Sequence, residues 1–279
     1  MAVHMMLLEK YPSFRARQFK LEQETARRHA MGVAKAKVKS ASVKVVVNVV
    51  YKTDEQNISN AQINSQIAVL NRDYGATNPD KSKTPAVWKG LVTDTRIRFK
   101  LYKVTRTRTT KSSFGQDDSV KRSATGGIPP FSPAKYLNVW VCALGGSLLG
   151  YAQFPGGPAG SDGVVINYRA FGTTGTAQAP FDKGRTATHE IGHYFNLRHI
   201  WGDTEDCSGS DLVADTPNCA GPNFGTPSFP TITCNNGPNG DMFMNYMDYV
   251  DDAAMFMFTS QQVVRMHAAL GGPRSGLTS

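Results

Sequence analysis

The hydrophobic pattern first becomes continuous at Lys44–Tyr51 (KVVVNVVY), a β-branched run suited to a strand buried on both faces. Polar residues then interrupt it. Ser59 opens SNAQINSQIAVLNRDYG, where Ile63, Ile67 and Leu70 recur at helical spacing, which predicts a helix capped by Ser59 and closed near Gly75. RIRFKLYKV (Arg96–Val104) alternates apolar and polar side chains and reads as a half-buried strand. Two more apolar runs, YLNVWVCAL (Tyr136–Leu144) and GVVINYRAF (Gly163–Phe171), read as strands separated by glycine-rich turns. Together these elements predict a mixed α/β half. From Trp201 regular signals thin out until TSQQVVRMHAAL, a helix capped by Thr259 or Ser260 with Val263, Met266 and Leu270 facing inward. Ahead of the first strand, residues 5–30 predict an amphipathic helix or helix pair broken near Pro12, and residues 31–42 a small, basic, flexible connector. The chain has no internal repeat.

With 279 residues, 40% of them hydrophobic, the chain can bury a sizeable core. No run approaches the roughly 18 to 20 apolar residues of a membrane span, so no membrane partner is expected. The opening MAVHMMLLEK is too short and too soon charged for a signal peptide, so an exported form would have had its signal removed, or left out of this sequence. The formal charge of +9 invites a nucleic-acid reading, but the charge is segregated. Residues 1–40 hold nine Lys/Arg against Glu9, Glu22 and Glu24, whereas residues 201–252 hold nine acids and no Lys or Arg. A basic leader of this kind is ordinarily a solvated helix or processing segment, and no DNA- or RNA-binding signature follows it, so no nucleic-acid partner is expected. The four cysteines form no CxxC pair, which argues against a zinc finger. Cys207, Cys219 and Cys234 lie in a Gly/Pro/Asn-rich stretch of the kind a disulfide pins in an oxidising compartment.

The chemistry concentrates in TATHEIGHYFNLRHIWGD (Thr186–Asp203). His189 and His193 are four apart, so on a helix both imidazoles leave one face and can share a metal ion. Glu190, beside the first of them, can hold a water at the open side of that metal and take its proton. His199 follows too far along for the same helix face, so the chain must bend back to bring it in. Asn196 can supply that bend, because asparagine tolerates the left-handed conformation that ends a helix. Three imidazoles around Zn²⁺ leave a fourth position for water, the arrangement of a catalytic site.

HEIGHYFNLRH resembles the metzincin consensus HExxHxxGxxH, with Asn196 in the glycine place. LGYAQFPGG (Leu149–Gly157), ADTP (Ala214–Pro217) and MFMNYMDYVDD (Met242–Asp252) narrow the resemblance to the ulilysin-like branch of the pappalysin family, from about Val45 to the C-terminal helix. The resemblance implies an α/β (α+β) metzincin-type zincin: a twisted mixed sheet with backing and active-site helices, and an irregular C-terminal subdomain ending in a helix. Residues 1–42 would then be a pro-segment or its remnant. Residues 43–279 would be the catalytic domain, divided into 43–199 and 200–279.

It also implies roles. Met247 matches the methionine turn beneath the zinc, and Tyr249 a tyrosine that hydrogen-bonds a reaction intermediate. GVVINYRAF would be the edge strand on which an extended peptide lies, through Val165 and Asn167. Asp251 or Asp252 would favour Arg or Lys after the scissile bond. Structural Ca²⁺ would bind in the acidic loop, with Asp203, Asp211, Asp215 and Thr216 as candidate ligands. The family pattern pairs Cys207 with Cys234 and leaves Cys219 without its usual partner, because Ala254 stands there; Cys219 is then free or joined to Cys142. Family precursors block the zinc with the pro-segment, in some members through a cysteine, and residues 1–40 contain none. Processing is expected between the leader and Lys44, with basic sites at Arg27, Arg28 or Lys35 to Lys39.

The reading is a secreted, monomeric zinc endopeptidase acting on proteins or peptides, with Glu190 as the base. Its rivals are a non-catalytic metal-binding recognition module, and a basic nucleic-acid binder acting through the leader.

Overall fold

The computed structural model describes residues 2–30 and 40–278, so most of the expected connector, with the Lys35 to Lys39 stretch, lies outside the described residues. The leader forms two helices, α1 (Ala2–Lys10) and α2 (Pro12–Ala30), separated at Tyr11. Proline has no N–H to donate and is at home in a first helical turn, which is why the break falls there. The valine run becomes β1 (Ala41–Tyr51), which takes in Ala41 and Ser42 from the expected connector. Then follow α3 (Asn60–Tyr74), β2 (Ile97–Arg108), β3 (Leu137–Cys142), β4 (Gly150–Ala152), β5 (Val164–Asn167), α4 (Arg185–Tyr194) and, near the C-terminus, α5 (Ser260–Leu270). The expected caps are present: Ser59 Oγ accepts from Gln62 N–H at 3.1 Å, and Thr259 and Gln262 form a reciprocal capping box.

The five strands form one sheet in the order β2-β1-β3-β5-β4. β1 runs parallel to β2 and β3, and β3 parallel to β5, whereas β4 is antiparallel to β5. Over Val45–Val50, β1 is buried on both faces, which accounts for its lack of alternation. Val45, Val47 and Val49 join the main core with Ile63, Leu70 and Tyr74 of α3 and Ile191 of α4. On the opposite face Val50 and Trp140 pack with Phe114 and Val120 from the segment between β2 and β3.

Two expectations change here. GVVINYRAF is a strand only to Asn167, and a turn of 3-10 helix follows at Tyr168–Ala170. More consequentially, β5 is interior, hydrogen-bonded to β3 on one side and β4 on the other. Val165 is fully buried in the second core. The edge belongs to β4, within LGYAQFPGG, too short and glycine-rich to announce itself as a strand.

The C-terminal part is mostly loop, closed by the Cys207–Cys234 disulfide, while Cys142 and Cys219 are free and buried. The leader packs on α5, with Leu21 against Ala268 and Ala269. No helix among the described residues is long and apolar enough to cross a membrane.

Candidate active site

Every residue of α4 is buried, and the helix carries His189, Glu190 and His193 toward the cleft. It stops after Tyr194. Asn196 has φ 76°, the left-handed conformation that its side chain was expected to tolerate, and Leu197 N–H closes the end by donating to Gly192 O at 2.9 Å. The reversal brings His199 back to the pair. Among the described residues, these three histidines are the one group of three or more His, Cys, Asp or Glu whose donor atoms converge, all within 4.8 Å of one another.

The donor chemistry fits a zinc ion. His189 Nδ1 meets Tyr246 O at 2.7 Å, His193 Nδ1 meets Leu197 O at 2.8 Å and His199 Nδ1 meets Asp203 Oδ1 at 2.6 Å. A carbonyl or carboxylate oxygen can only accept, so each ring carries its proton on Nδ1 and turns an Nε2 lone pair inward. His193 Nε2 and His199 Nε2 approach to 3.0 Å, a pairing of two acceptors that a shared cation would relieve. Burial pushes His189 down to about 4 and the other two well below the usual histidine range, so all three are neutral ligands at physiological pH.

Further residues shape the site. The Trp201 indole stacks on the His199 ring at 4.2 Å and 5°, and its edge meets Tyr249 at 4.8 Å. Met247 lies fully buried under α4, and a Cβ on Gly192 would fall 2.5 Å from its Sδ. Asn245 Oδ1 fixes this turn, accepting from Met247 N–H and from the Gln262 amide at the start of α5. Glycine spacing and the NYMDY signature were the available signals for Gly192 and Asn245; Trp201 had none.

Glu190 and Tyr249 face one cleft of about 750 Å³, whose wall also includes Leu149 and Gly150 at the edge strand. A Cβ on Gly150 would sit 2.9 Å from Glu190 Cγ, so glycine is required where the edge strand passes the carboxylate. Burial pushes the Glu190 carboxyl up to about 8, and burial likewise raises the Tyr249 phenol, which stays a proton donor.

The remaining candidates divide. Asp252 lines the cleft, with Oδ2 accepting from Lys183 and Arg185 N–H; Asp251 is absent from the cleft wall, its own N–H donating to Gly225 O. Val165 and Asn167 lie on the interior strand and are not the edge residues expected. Of the four calcium candidates, Asp203 orients His199, and Asp215 accepts from Thr259 Oγ1, Ser260 Oγ and Gln261 N–H at the start of α5. Asp211 and Thr216 remain together, Oγ1 donating to Oδ2 at 2.7 Å. Oxygen-rich composition cannot distinguish a cation ligand from a carboxylate that orients a histidine or caps a helix.

Asp203→Asn is expected to weaken zinc binding about 10- to 100-fold, the usual cost of losing a partner of this kind. Competition with a chromogenic chelator measures it, and unchanged affinity would remove Asp203 from the site.

Comparisons with known proteins bear on this geometry. The family model described as Pregnancy-associated plasma protein-A, a peptidase family, matches residues 127–271. Two proteins named extracellular metalloprotease are each 32% identical: one from Verticillium alfalfae, over 76% of this chain and 70% of that protein, and one from Pyricularia oryzae, over 88% and 81%. Mature mirolysin of Tannerella forsythia, solved with a cleaved peptide, is 47% identical with TM-score 0.84, covering 86% of this chain and 96% of that one. A promirolysin mutant from the same organism is 45% identical with TM-score 0.84, covering 92% and 91%.

Proposed function

The chain belongs to the Pregnancy-associated plasma protein-A (pappalysin) family of metzincin zinc metallopeptidases, and from that premise we propose that it is a secreted endopeptidase in which Glu190 is the proton carrier. The single observation carrying this is the convergence of three neutral imidazoles beside a buried carboxylate in an open cleft. Bound through His189, His193 and His199, zinc supplies Lewis acidity that makes a water nucleophilic and polarises a peptide carbonyl. Glu190 takes the proton of the attacking water and passes it to the leaving amine. Tyr249 donates its phenolic proton in a hydrogen bond to the oxygen that gains charge. Met247 and Trp201 hold the ligand set from below and beside. Tyr249 is 43% exposed, so a substrate can reach it.

An extended peptide would lie on β4, whose outer edge has no strand beside it among the described residues, using backbone groups and leaving selection to side-chain pockets. Beyond the scissile bond the pocket floor holds Arg185, ion-paired to Asp73 at 3.0 Å and Asp80 at 2.9 Å, with Asp252 alongside. With the Arg185 charge offset from beneath by Asp73 and Asp80, Asp252 supports a preference for Arg or Lys. Burial pushes Asp252 up to about 6, so it remains ionised at neutral pH and can contribute negative charge beneath the cleft surface. Residues 1–42 act as a pro-segment in this reading, and we infer structural Ca²⁺ in the acidic loop, with Asp211 and Thr216 as the candidate donors left. Secretion accords with the extracellular relatives, and the protein acts as a monomer.

A peptide library tests both levels. Cleavage with Arg or Lys following the cut preferred by about tenfold over Ala or Glu, and that preference reduced in Asp252→Asn, is the expected result. Cleavage without the preference removes the assigned pocket, and no cleavage under any condition favours the non-catalytic recognition module.

A further inference from the structure

The reversal that delivers His199 is held by α5 and, through it, by the leader. Asn196 O accepts two hydrogen bonds from Arg265 of α5, from Nε at 3.2 Å and Nη2 at 3.1 Å. Arg265 is 1% exposed, so its charge needs a partner, and among the described residues its ion pair is with Glu22 of the leader. Glu22 takes the guanidinium in bidentate fashion, Oε2 accepting from Nη1 at 2.9 Å and Oε1 from Nη2 at 2.8 Å. The same Oε1 also accepts from Asn196 Nδ2 at 3.2 Å. One leader carboxylate therefore meets the turn at Asn196 both directly and through Arg265.

We propose that Glu22 is a positioning residue for the zinc site: it holds the turn that carries His199, so that docking of the leader and retention of zinc are coupled. The physical reasons are two. A left-handed asparagine costs backbone energy that surrounding contacts must offset, and besides the Asn196 N–H bond to His193 O the contacts on it come from Arg265 and Glu22. Removing one partner of a buried ion pair leaves the other charge uncompensated, so without Glu22 the guanidinium loses the geometry that aims it at Asn196 O. Coupling of binding free energies is reciprocal, so zinc must also hold the leader in place. The proposal rests on the zinc reading for the identity of the ion, not for the connection between leader and turn.

The test uses the full-length, zinc-loaded chain and reads zinc transfer to excess chromogenic chelator, not activity. Glu22→Gln is expected to release zinc about tenfold faster than wild type. Arg17→Ala removes one exposed leader contact away from the turn, the Arg17 Nε bond to Gly156 O, leaves Glu22 docked, and is expected to release zinc at the wild-type rate. The double variant Glu22→Gln with Arg265→Met removes the unpaired charge but leaves the turn unheld, and should still release zinc fast. Conversely, zinc should slow tryptic cutting after Arg27 and Arg28 in wild type, and less so in Glu22→Gln. Wild-type release from Glu22→Gln overturns the proposal. So does equal acceleration in Arg17→Ala, which would mean the leader merely covers the site, or recovery in the double variant, which would mean an unpaired Arg265 was the only damage. A wild-type chain that holds no zinc would sink the zinc reading as well, whereas equal release rates sink the coupling alone.

Discussion

Glu190→Gln lowers peptide cleavage by about 10³-fold or more, within the range attributed to a positioned acid–base group, while zinc content stays near one per chain. The substitution is nearly isosteric and removes only the ability to accept and return a proton. Glu190 is 8% exposed and does not belong to the converging ligand group, so neither fold nor metal depends on its charge. Burial alone would leave it largely protonated at neutral pH, at about 8. The positive charge of the loaded site favours the carboxylate, so the base becomes available when the metal is present. Steady-state cleavage of an Arg-containing fluorogenic peptide, with zinc measured by elemental analysis of the same sample, decides it. Cleavage within tenfold of wild type would show that another group moves the proton.

Metal removal is expected to have a comparably large effect. Phenanthroline, which takes zinc and leaves calcium, is expected to abolish cleavage, and stoichiometric zinc to restore it. The three rings are held by Tyr246 O, Leu197 O and Asp203 before any ion arrives, so reloading needs no refolding. EDTA should abolish cleavage too and also lower the melting temperature by several degrees if Ca²⁺ is bound at the acidic loop, with Ca²⁺ restoring the melting temperature but not the activity. At that loop the buried Asp211 carboxyl is pushed up to about 7, a group whose charge a cation would stabilise. Full activity in phenanthroline would contradict the zinc mechanism, and a melting temperature indifferent to Ca²⁺ would remove calcium from the account.

The reach of the sequence follows the range of the interactions involved. β1, α3, α5, their caps and the His189/His193 pair were legible because each depends on residues within a turn or two along the chain. Asn196 was legible for the same reason: a left-handed helix end is a local property of one side chain, and the structure has it at φ 76°. The Cys207–Cys234 pairing and the methionine turn came through family resemblance, since nothing in their own spacing selects them.

Other features depend on what is packed beside them. Which strand lies at the sheet edge is a matter of pairing, so the β-branched VVIN, a good strand anywhere, was given the edge that the short GYA occupies. An aspartate in an acidic loop reads the same whether it faces a cation, orients His199 or caps α5, and only the fold assigned Asp203 and Asp215 to the latter two. The leader's basic charge gave no hint that Glu22, one of its few acids, reaches the turn between two zinc ligands. Sequence by itself determined the chemistry, three imidazoles and a carboxylate at spacings one helix and one reversal can serve. Tertiary structure decided which groups hold those imidazoles, where a peptide can lie and what the leader touches, because those contacts join residues whose proximity no local periodicity encodes.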